Sequence, residues 1–138
     1  MTAQRTLTVQ YCDDVRQEIG NKFSLMGCYA ENMIIDRVPA FLPKLCVVAK
    51  LLTPADAQIR AATVKLYKDG ALAAEMPIIA SEDSGEAART GWQVAIAVMT
   101  LTPFPIEAQC QLLASMELDD GERIDSIKFE IRPTEPMP

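Results

Sequence analysis

Apolar and polar residues alternate with a period of two along most of this chain, and glycine or proline separates the alternating runs. Successive side chains of a β-strand point to opposite faces, so this pattern predicts strands that are buried on one face. The chain shows neither a sustained helical period nor the alternation of strands and helices that builds a parallel sheet. The pattern therefore predicts an all-β fold, a single-domain antiparallel β-sandwich, immunoglobulin-like or similar, with about eight strands.

The first segment is predicted to form one long, bent strand over residues 5–19, because apolar and polar residues alternate there. A short helix over 13–19 is the alternative, since an aspartate could begin it and a glycine could end it. The dipeptide Gly20-Asn21 is typical of a two-residue hairpin turn. The alternating run that follows predicts a second strand with Phe23 and Leu25 on one face.

The remaining predicted strands cover residues 32–37, 44–53, 62–68, 71–77, 92–101, 107–118 and 123–132. The run at 44–53 is apolar on both faces, which predicts a central strand, and 92–101 is also predicted to be a buried strand. The dipeptide Asp69-Gly70 is typical of a primed hairpin turn. Pro39 and Pro43 bracket a predicted loop, because two missing backbone donors exclude a central strand there.

The last two predicted strands have inward-facing side chains at Cys110, Leu112, Ala114, Met116, Leu118, Ile127, Phe129 and Ile131. Residues 54–58 are predicted to form a loop or a single helical turn, and 119–122 a turn. Residues 81–91 are predicted to form a polar surface loop with a helical turn. The proline-rich residues 133–138 are predicted to be frayed. Residues 1–138 are predicted to form one domain.

The charge balance and the absence of histidine exclude several function classes. The chain has 13 Lys and Arg against 19 Asp and Glu, which gives a net charge of −6. An acidic balance of this size argues against nucleic-acid binding, which needs clustered basic residues. Without histidine there is no Ser-His or Cys-His nucleophile pair and no His-ligated metal. We therefore expect no enzymatic activity, no catalytic residue, no metal and no cofactor.

The ends and the cysteines bear on location. No signal-peptide pattern opens the chain, and its longest apolar stretches, 45–52 and 94–101, are shorter than the ~20 residues of a membrane helix. These features predict a cytoplasmic protein that does not bind membranes. Cysteines occur at positions 12, 28, 46 and 110, and no two form a Cys-x-x-Cys pair. They are predicted to be free thiols, with those at 28, 46 and 110 buried.

Two acidic groups are candidates for chemistry. By parity, Asp13 falls on the apolar face of its strand, so it either bonds to a neighbouring loop or holds a cation. Four carboxylates could converge near one end of a sheet and support glycoside hydrolysis; they are Asp13, Asp14, Glu18 and Glu31. The second group comprises Asp119, Asp120, Glu122 and Asp125. It is predicted to be a solvated turn, with calcium binding as the alternative.

Trp92 and the loop that contains Phe41 each have two alternative roles. Trp92 begins a predicted strand and is interpreted as a core or rim anchor rather than a ligand platform. The loop that contains Phe41 and Leu42 either folds back over the end of the fold or contacts a partner.

Three segments carry a resemblance to a known family: Tyr11-Cys-Asp-Asp-Val15, Glu18-Ile-Gly-Asn-Lys-Phe-Ser-Leu-Met-Gly27 and Leu42-Pro-Lys-Leu-Cys-Val-Val48. Together they resemble a small bacterial protein family of unknown function. Its members carry a Cys-Asp-x-Val strand, a Gly-x-Lys-x-Ser-Leu-x-Gly strand and a single β-sandwich domain. The resemblance covers mainly the first third of the chain. It implies an all-β fold with a hairpin over residues 5–29, and it implies no activity, cofactor or site residue.

Two functions from different classes follow. The first is a non-enzymatic bacterial binding or assembly module that acts through protein–protein contacts, with a protein partner or a second copy docking by strand addition at a sheet edge. The alternative is a small-ligand-binding or carboxylate-based hydrolytic domain. The absence of nucleotide-binding loops, of histidine and of a nucleophile motif favours the first.

Overall fold

The computed structural model describes residues 4–20, 22–80 and 85–134. Within these ranges the chain forms thirteen strands, one short α-helix, α1 at Glu86–Thr90, and a 3-10 turn at Ala55–Ala57. The strands are β1 Thr6–Cys12, β2 Asp14–Glu18, β3 Lys22–Met26, β4 Asn32–Ile35, β5 Ala40–Leu42, β6 Leu45–Pro54, β7 Ala61–Lys68, β8 Ala71–Ile79, β9 Trp92–Leu101, β10 Phe104–Ile106, β11 Cys110–Leu118, β12 Arg123–Asp125 and β13 Phe129–Pro133. The all-β prediction is confirmed. No helix in these ranges is long and apolar enough to cross a membrane.

The strands form two larger sheets and two hairpin-sized ones. In the three-stranded sheet, β6 lies between β1 and β9 and is antiparallel to both. In the six-stranded sheet the order is β4-β13-β11-β7-β8, and β12 also pairs with β11. Only the β13–β4 pair is parallel. The pairs β2–β3 and β5–β10 form separate two-stranded sheets.

One buried cluster joins the inner faces of the two larger sheets. It includes Val47, Ala49 and Leu51 of β6 together with residues of β7 and β11. Full burial of each Val or Leu side chain contributes about 1.5–3 kcal/mol. The inward positions predicted for β11 are all buried. The prediction of a central strand at 44–53 is also confirmed, because residues 45–49 are buried on both faces.

The β2–β3 hairpin covers part of the outer face of the three-stranded sheet. It forms a second, smaller cluster whose members are Cys12, Val15, Phe23, Leu25, Cys46, Val48 and Val98. The hairpin itself is confirmed, but Glu18 pairs with Lys22, so three residues connect the strands rather than the predicted two. Asn21, part of this connection, lies outside the described residues. The second predicted hairpin is also confirmed, because positive φ angles of 49° at Asp69 and 84° at Gly70 form the turn between β7 and β8.

The prediction of one continuous strand over 5–19 is wrong, and so is the alternative helix over 13–19. The chain leaves the three-stranded sheet after Cys12, and the Asp13 N–H donates to the Met26 and Gly27 carbonyls at 2.9 and 3.2 Å. This change of partner from β6 to β3 starts β2 at Asp14. The alternation of apolar and polar residues does not reveal this change of pairing strand, because it continues through both β1 and β2.

The predicted last strand is interrupted as well. It forms β12 and β13, and the segment between them projects Ile127, which is 88% exposed rather than inward. Phe129 and Ile131 are buried as predicted. Pro133 belongs to β13, and the Thr134 N–H donates to the Ile35 carbonyl at 2.7 Å, so fraying is wrong for these two residues. Residues 135–138 lie outside the described part.

Two further predictions need correction. The segment between Pro39 and Pro43 contains β5, which pairs with β10, so it is not simply a loop. β9 is buried on one face only, since Trp92, Val94 and Ile96 are 45%, 52% and 41% exposed. The predicted helical turn within 81–91 is α1, and residues 81–84 lie outside the described part.

The buried Arg5 side chain connects the start of β1 to three other parts of the chain. Its guanidinium donates to Thr53 Oγ1 at 2.8 Å and to the Ala57 carbonyl at 2.7 Å. It also donates to one carboxylate oxygen each of Asp120 and Glu122, both at 2.6 Å. These bonds attach the β11–β12 turn to the edge strand β1.

The ion pair between Arg5 and Asp120 predicts that the free energy of unfolding depends on pH in the acid range. The Glu122 backbone N–H and the Arg5 guanidinium lower the pKa of Asp120 below its ordinary value. A carboxyl with a lowered folded-state pKa stabilises the fold above its unfolded pKa of about 3.9, and this contribution is lost as pH falls through the folded value. Below about pH 4, the unfolding free energy of the Asp120→Asn variant should fall less steeply with decreasing pH than that of the parent chain, as measured by urea denaturation at a series of pH values. Asp56→Asn, an exposed carboxylate nearby, is the control, and equal acid slopes for the two variants would contradict the assignment.

Candidate functional site

The free edge of β1 is the first component of the site. The Tyr29 N–H donates to the Tyr11 carbonyl at 3.0 Å, so the backbone groups of Tyr11 point away from β6. Backbone groups of alternate residues point to the same edge of a strand, so those of Leu7 and Val9 also point away from β6. Among the described residues no strand pairs with this edge. Leu7 and Val9 therefore present two N–H and two C=O groups there.

A cavity of about 310 Å³ lies beside this edge. Its walls are residues 7–11 of β1, residues 29–31 after β3, and residues 126–129 between β12 and β13. We call this cavity the β1 groove. The Tyr11 and Phe129 rings stack with their centroids 4.1 Å apart, and Tyr29 meets Phe129 edge-on at 6.1 Å. The groove is therefore built on rigid aromatic contacts between the first and last strands of the described chain.

One buried polar group lies in the groove wall. The Tyr11 hydroxyl makes no hydrogen bond of ordinary geometry within the described chain. Burial raises the pKa of Tyr11 above its usual range, and the neighbouring Ser126 hydroxyl offsets only part of that rise. Ser126 Oγ is already engaged, since it accepts from Ala114 N–H at 3.2 Å and donates to the Ile127 carbonyl at 3.0 Å.

Asp13 positions one end of the groove. Its carboxylate accepts a hydrogen bond from the Tyr29 hydroxyl at 2.7 Å, as the loop-bonding interpretation expected. Burial and the Asp13 carboxylate raise the pKa of Tyr29 to about 12, so this tyrosine keeps its proton. Gly27 adopts a positive φ of 68° directly against the Asp13 side chain. Asp13 thus holds a loop and does not face an apolar core.

Asp14 and Glu18 of the first acidic group are engaged separately, with different partners. Asp14 pairs with Lys44, a contact that lowers the pKa of Asp14. Glu18 accepts from the Ser24 hydroxyl at 3.2 Å, and it lies four residues, about 13 Å, from Asp14 along β2. Glu31 lies in the wall of the β1 groove. The proposed convergence of these carboxylates is not seen.

The second acidic group is occupied by donors of the protein itself. Asp120 and Glu122 hold Arg5, Asp119 accepts from the Arg60 N–H at 3.0 Å, and Asp125 pairs with Arg123 at 2.9 Å. Within the described ranges, no three His, Cys, Asp or Glu residues are placed to hold a metal ion.

None of the cysteines is among the residues that line the β1 groove. All four are free, and Cys12, Cys46 and Cys110 are buried, whereas Cys28 is exposed, contrary to its predicted burial. Cys12 lies opposite Cys46 on β1 and β6. Burial raises the pKa of Cys12 to about 11, because the charged thiolate is disfavoured away from water. The buried thiols therefore resemble apolar core residues rather than nucleophiles.

A larger concavity of about 530 Å³ lies on the outer face of the six-stranded sheet. Tyr67 and Arg123 are among its lining residues, and the Arg123 guanidinium stacks over the Tyr67 ring at 5.2 Å while pairing with Asp125. The Arg123 guanidinium of this concavity is therefore already bonded to Asp125 and stacked on Tyr67. The β1 groove differs because it adjoins unpaired backbone.

The two exposed aromatic positions are separate from the β1 groove. Trp92 lies at the start of β9 with its side chain on the outer face, which fits a rim position rather than the core. Phe41 is exposed at the centre of β5, while Leu42 packs against the core. The sequence pattern favours strand addition at a sheet edge but does not identify β1 as that edge. The groove depends on contact between Tyr11 and Phe129, which no local pattern reports.

No protein-family model, curated protein or solved structure matches this chain.

The contact between Asp13 and Gly27 predicts a stability effect. A Cβ atom at Gly27 would lie 2.7 Å from Asp13 Cγ, and the positive φ adds backbone strain. We expect Gly27→Ala to lower the unfolding free energy by about 1–3 kcal/mol in chemical denaturation. Gly20→Ala is the matched control, since Gly20 also has a positive φ, 93°, but has nothing within 4 Å of a Cβ.

The double variant Asp13→Ala/Gly27→Ala should recover the steric part of that loss and retain the strain. An effect of Gly27→Ala no larger than that of Gly20→Ala would show that Asp13 does not occupy this position.

Proposed function

We propose that this protein is a non-enzymatic binding module that accepts an extended segment of a partner protein as an added strand at the free edge of β1. The observation that carries the proposal is the set of outward backbone groups of Leu7 and Val9 beside the β1 groove. In strand addition, main-chain hydrogen bonds supply affinity and pockets for alternate side chains supply specificity.

The energetics favour a short, apolar segment. Four backbone hydrogen bonds of about 0.5–1.5 kcal/mol each give only a modest gross contribution. Apolar side chains in contact with Val9, Tyr11 and Phe129 must therefore supply much of the affinity. The distance from Leu7 to Tyr11 is about 13 Å, which matches a segment of four or five residues. The net charge of −6 disfavours an acidic partner.

A small ligand is the second candidate occupant, because a volume of about 310 Å³ is at the lower end of ligand cavities. The unpaired backbone beside the groove favours a peptide, since a small molecule leaves most of those groups to water. The carboxylate-based alternative has little support, because Asp13, Asp14 and Glu18 each contact a different side chain rather than facing one another.

We also infer that the two larger sheets form a β-sandwich of immunoglobulin-like type, which the shared buried cluster supports. Four free cysteines support a reducing compartment, and we place the protein in the cytoplasm of a bacterium on that ground and on its family resemblance.

The test is selection of peptides from a displayed library of random sequences on the immobilised protein, followed by titration of the best binder into isotope-labelled protein. We expect peptides with alternating apolar residues that shift the amide signals of Leu7, Val9 and residues 126–129. Val9→Pro removes one outward N–H and should weaken binding about tenfold, which corresponds to about 1.4 kcal/mol. Val94→Pro, on the other edge of the same sheet, is the matched control and should leave binding unchanged.

Failure to enrich any peptide, or amide shifts confined to other surfaces, would contradict the proposal. A compound that shifts the groove side chains and leaves the Leu7 and Val9 amides unmoved would support a small ligand instead.

A further inference from the structure

The free edge of β9 is a second unpaired edge, on the opposite side of the three-stranded sheet. The backbone N–H and C=O groups of Tyr11 point away from β6, so Tyr11 and its partner Val47 do not bond to each other. The backbone groups of Val47 therefore point to the other side of β6, towards Met99 of β9. The intervening residues of β9 then direct their N–H and C=O groups away from β6. Trp92 follows this rule, since its N–H donates to Thr90 Oγ1 and its carbonyl accepts from the same hydroxyl.

Four residues therefore present outward backbone groups with no partner in the described chain: Val94, Ile96, Val98 and Thr100. The side chains of Val94 and Ile96 are exposed on the outer face of the same sheet. Residues 92–101 contain no charged residue, whereas natural edge strands are commonly protected by charges, proline or bulges. An uncharged edge of this length, with no strand paired to it in the described part of the chain, is suited to pairing with another strand.

We infer that two copies of this chain pair through antiparallel β9 strands and extend the three-stranded sheet to six strands. A two-fold axis at Ala97 places Val94 opposite Thr100 and Ile96 opposite Val98 of the second copy. In this register, each of the eight outward N–H and C=O groups of one copy bonds to a group of the other copy. An axis at Ile96 would instead place Thr100 opposite Trp92, whose backbone groups are already bonded to Thr90.

The surroundings of β9 favour a second copy over an unrelated strand. The β2–β3 hairpin stands on the outer face beside Val98. Antiparallel pairing brings the hairpin of each copy alongside the exposed Val94 and Trp92 of the other, so each molecule covers the apolar surface that its partner leaves open. Two copies of Lys50, the residue beside Ile96 on β6, would lie about three strand spacings or ~14 Å apart, beyond the screening length of about 8–10 Å.

The area involved predicts a weak dimer. The paired edge from Val94 to Thr100 is about 20 Å long and about 10 Å deep, so it covers roughly 200 Å² per copy. A stable interface buries about 800 Å² per partner, near 9% of the 8884 Å² accessible surface of this chain. The hairpin and Trp92 contacts supply part of the difference, and we expect a dissociation constant in the micromolar range.

The test is sedimentation velocity of the full chain across a concentration series. We expect the mass to rise from 15.2 kDa towards twice that value. Ile96→Lys should raise the dissociation constant at least tenfold, because it places two like charges across the axis. Ile79→Lys, which changes an exposed isoleucine on β8, should dimerise as the parent chain does, and thermal melts confirm that both variants fold.

Cross-linking tests the register. In a Cys28→Ser background, Ile96→Cys/Val98→Cys places opposed residues about 5.5 Å apart between Cα atoms, within disulfide range, so oxidised glutathione should link the copies. The single variant Ile96→Cys places its two copies diagonally, about 7–8 Å apart, and should link poorly. A chain that stays monomeric throughout, or an Ile96→Lys variant that dimerises normally, would overturn the inference. Equal linking of the single and double variants would overturn the axis at Ala97.

Discussion

The three-stranded sheet has one interior strand, β6, and the rest of the structure depends on that constraint. β6 pairs along its length with β1 and β9, and residues 45–49 are buried on both faces, by the main core on one side and the β2–β3 hairpin on the other. Because a sheet of three strands has two edges, two long rows of backbone groups remain on either side of β6. Both proposed contact surfaces are these edges.

A single hydrogen bond identifies which residues direct their backbone groups towards each edge. The bond from Tyr29 N–H to the Tyr11 carbonyl shows that the Tyr11 backbone points away from β6, and the registers of β1–β6 and β6–β9 extend this alternation across the sheet. The ends of the edges are closed by other contacts, since Arg5 binds the β11–β12 turn and Thr90 satisfies the backbone of Trp92. Only the central residues of each edge are left available.

The sequence predicted what depends on local pattern. Alternation identified the buried side of β11, a continuous apolar run identified β6, and turn dipeptides located the two hairpins. It failed where the chain changes partner. The step from β6 to β3 at Asp13 and the projection of Ile127 are both set by tertiary hydrogen bonds. The β1 groove was not predictable for the same reason, because it needs Tyr11 and Phe129 to stack although they lie far apart in sequence.

Amide hydrogen exchange measured by NMR tests the edge assignment most directly. The Ile96→Lys variant is suited to it, because the account predicts that its β9 edge stays unpaired. Protection should alternate along both outer strands. The amides of Leu7, Val9, Val94 and Val98 should exchange rapidly, whereas those of Thr8, Gln10, Ala95 and Ala97 should be protected by bonds to β6. Uniform protection along β1 and β9, or alternation of the opposite phase, would contradict the account.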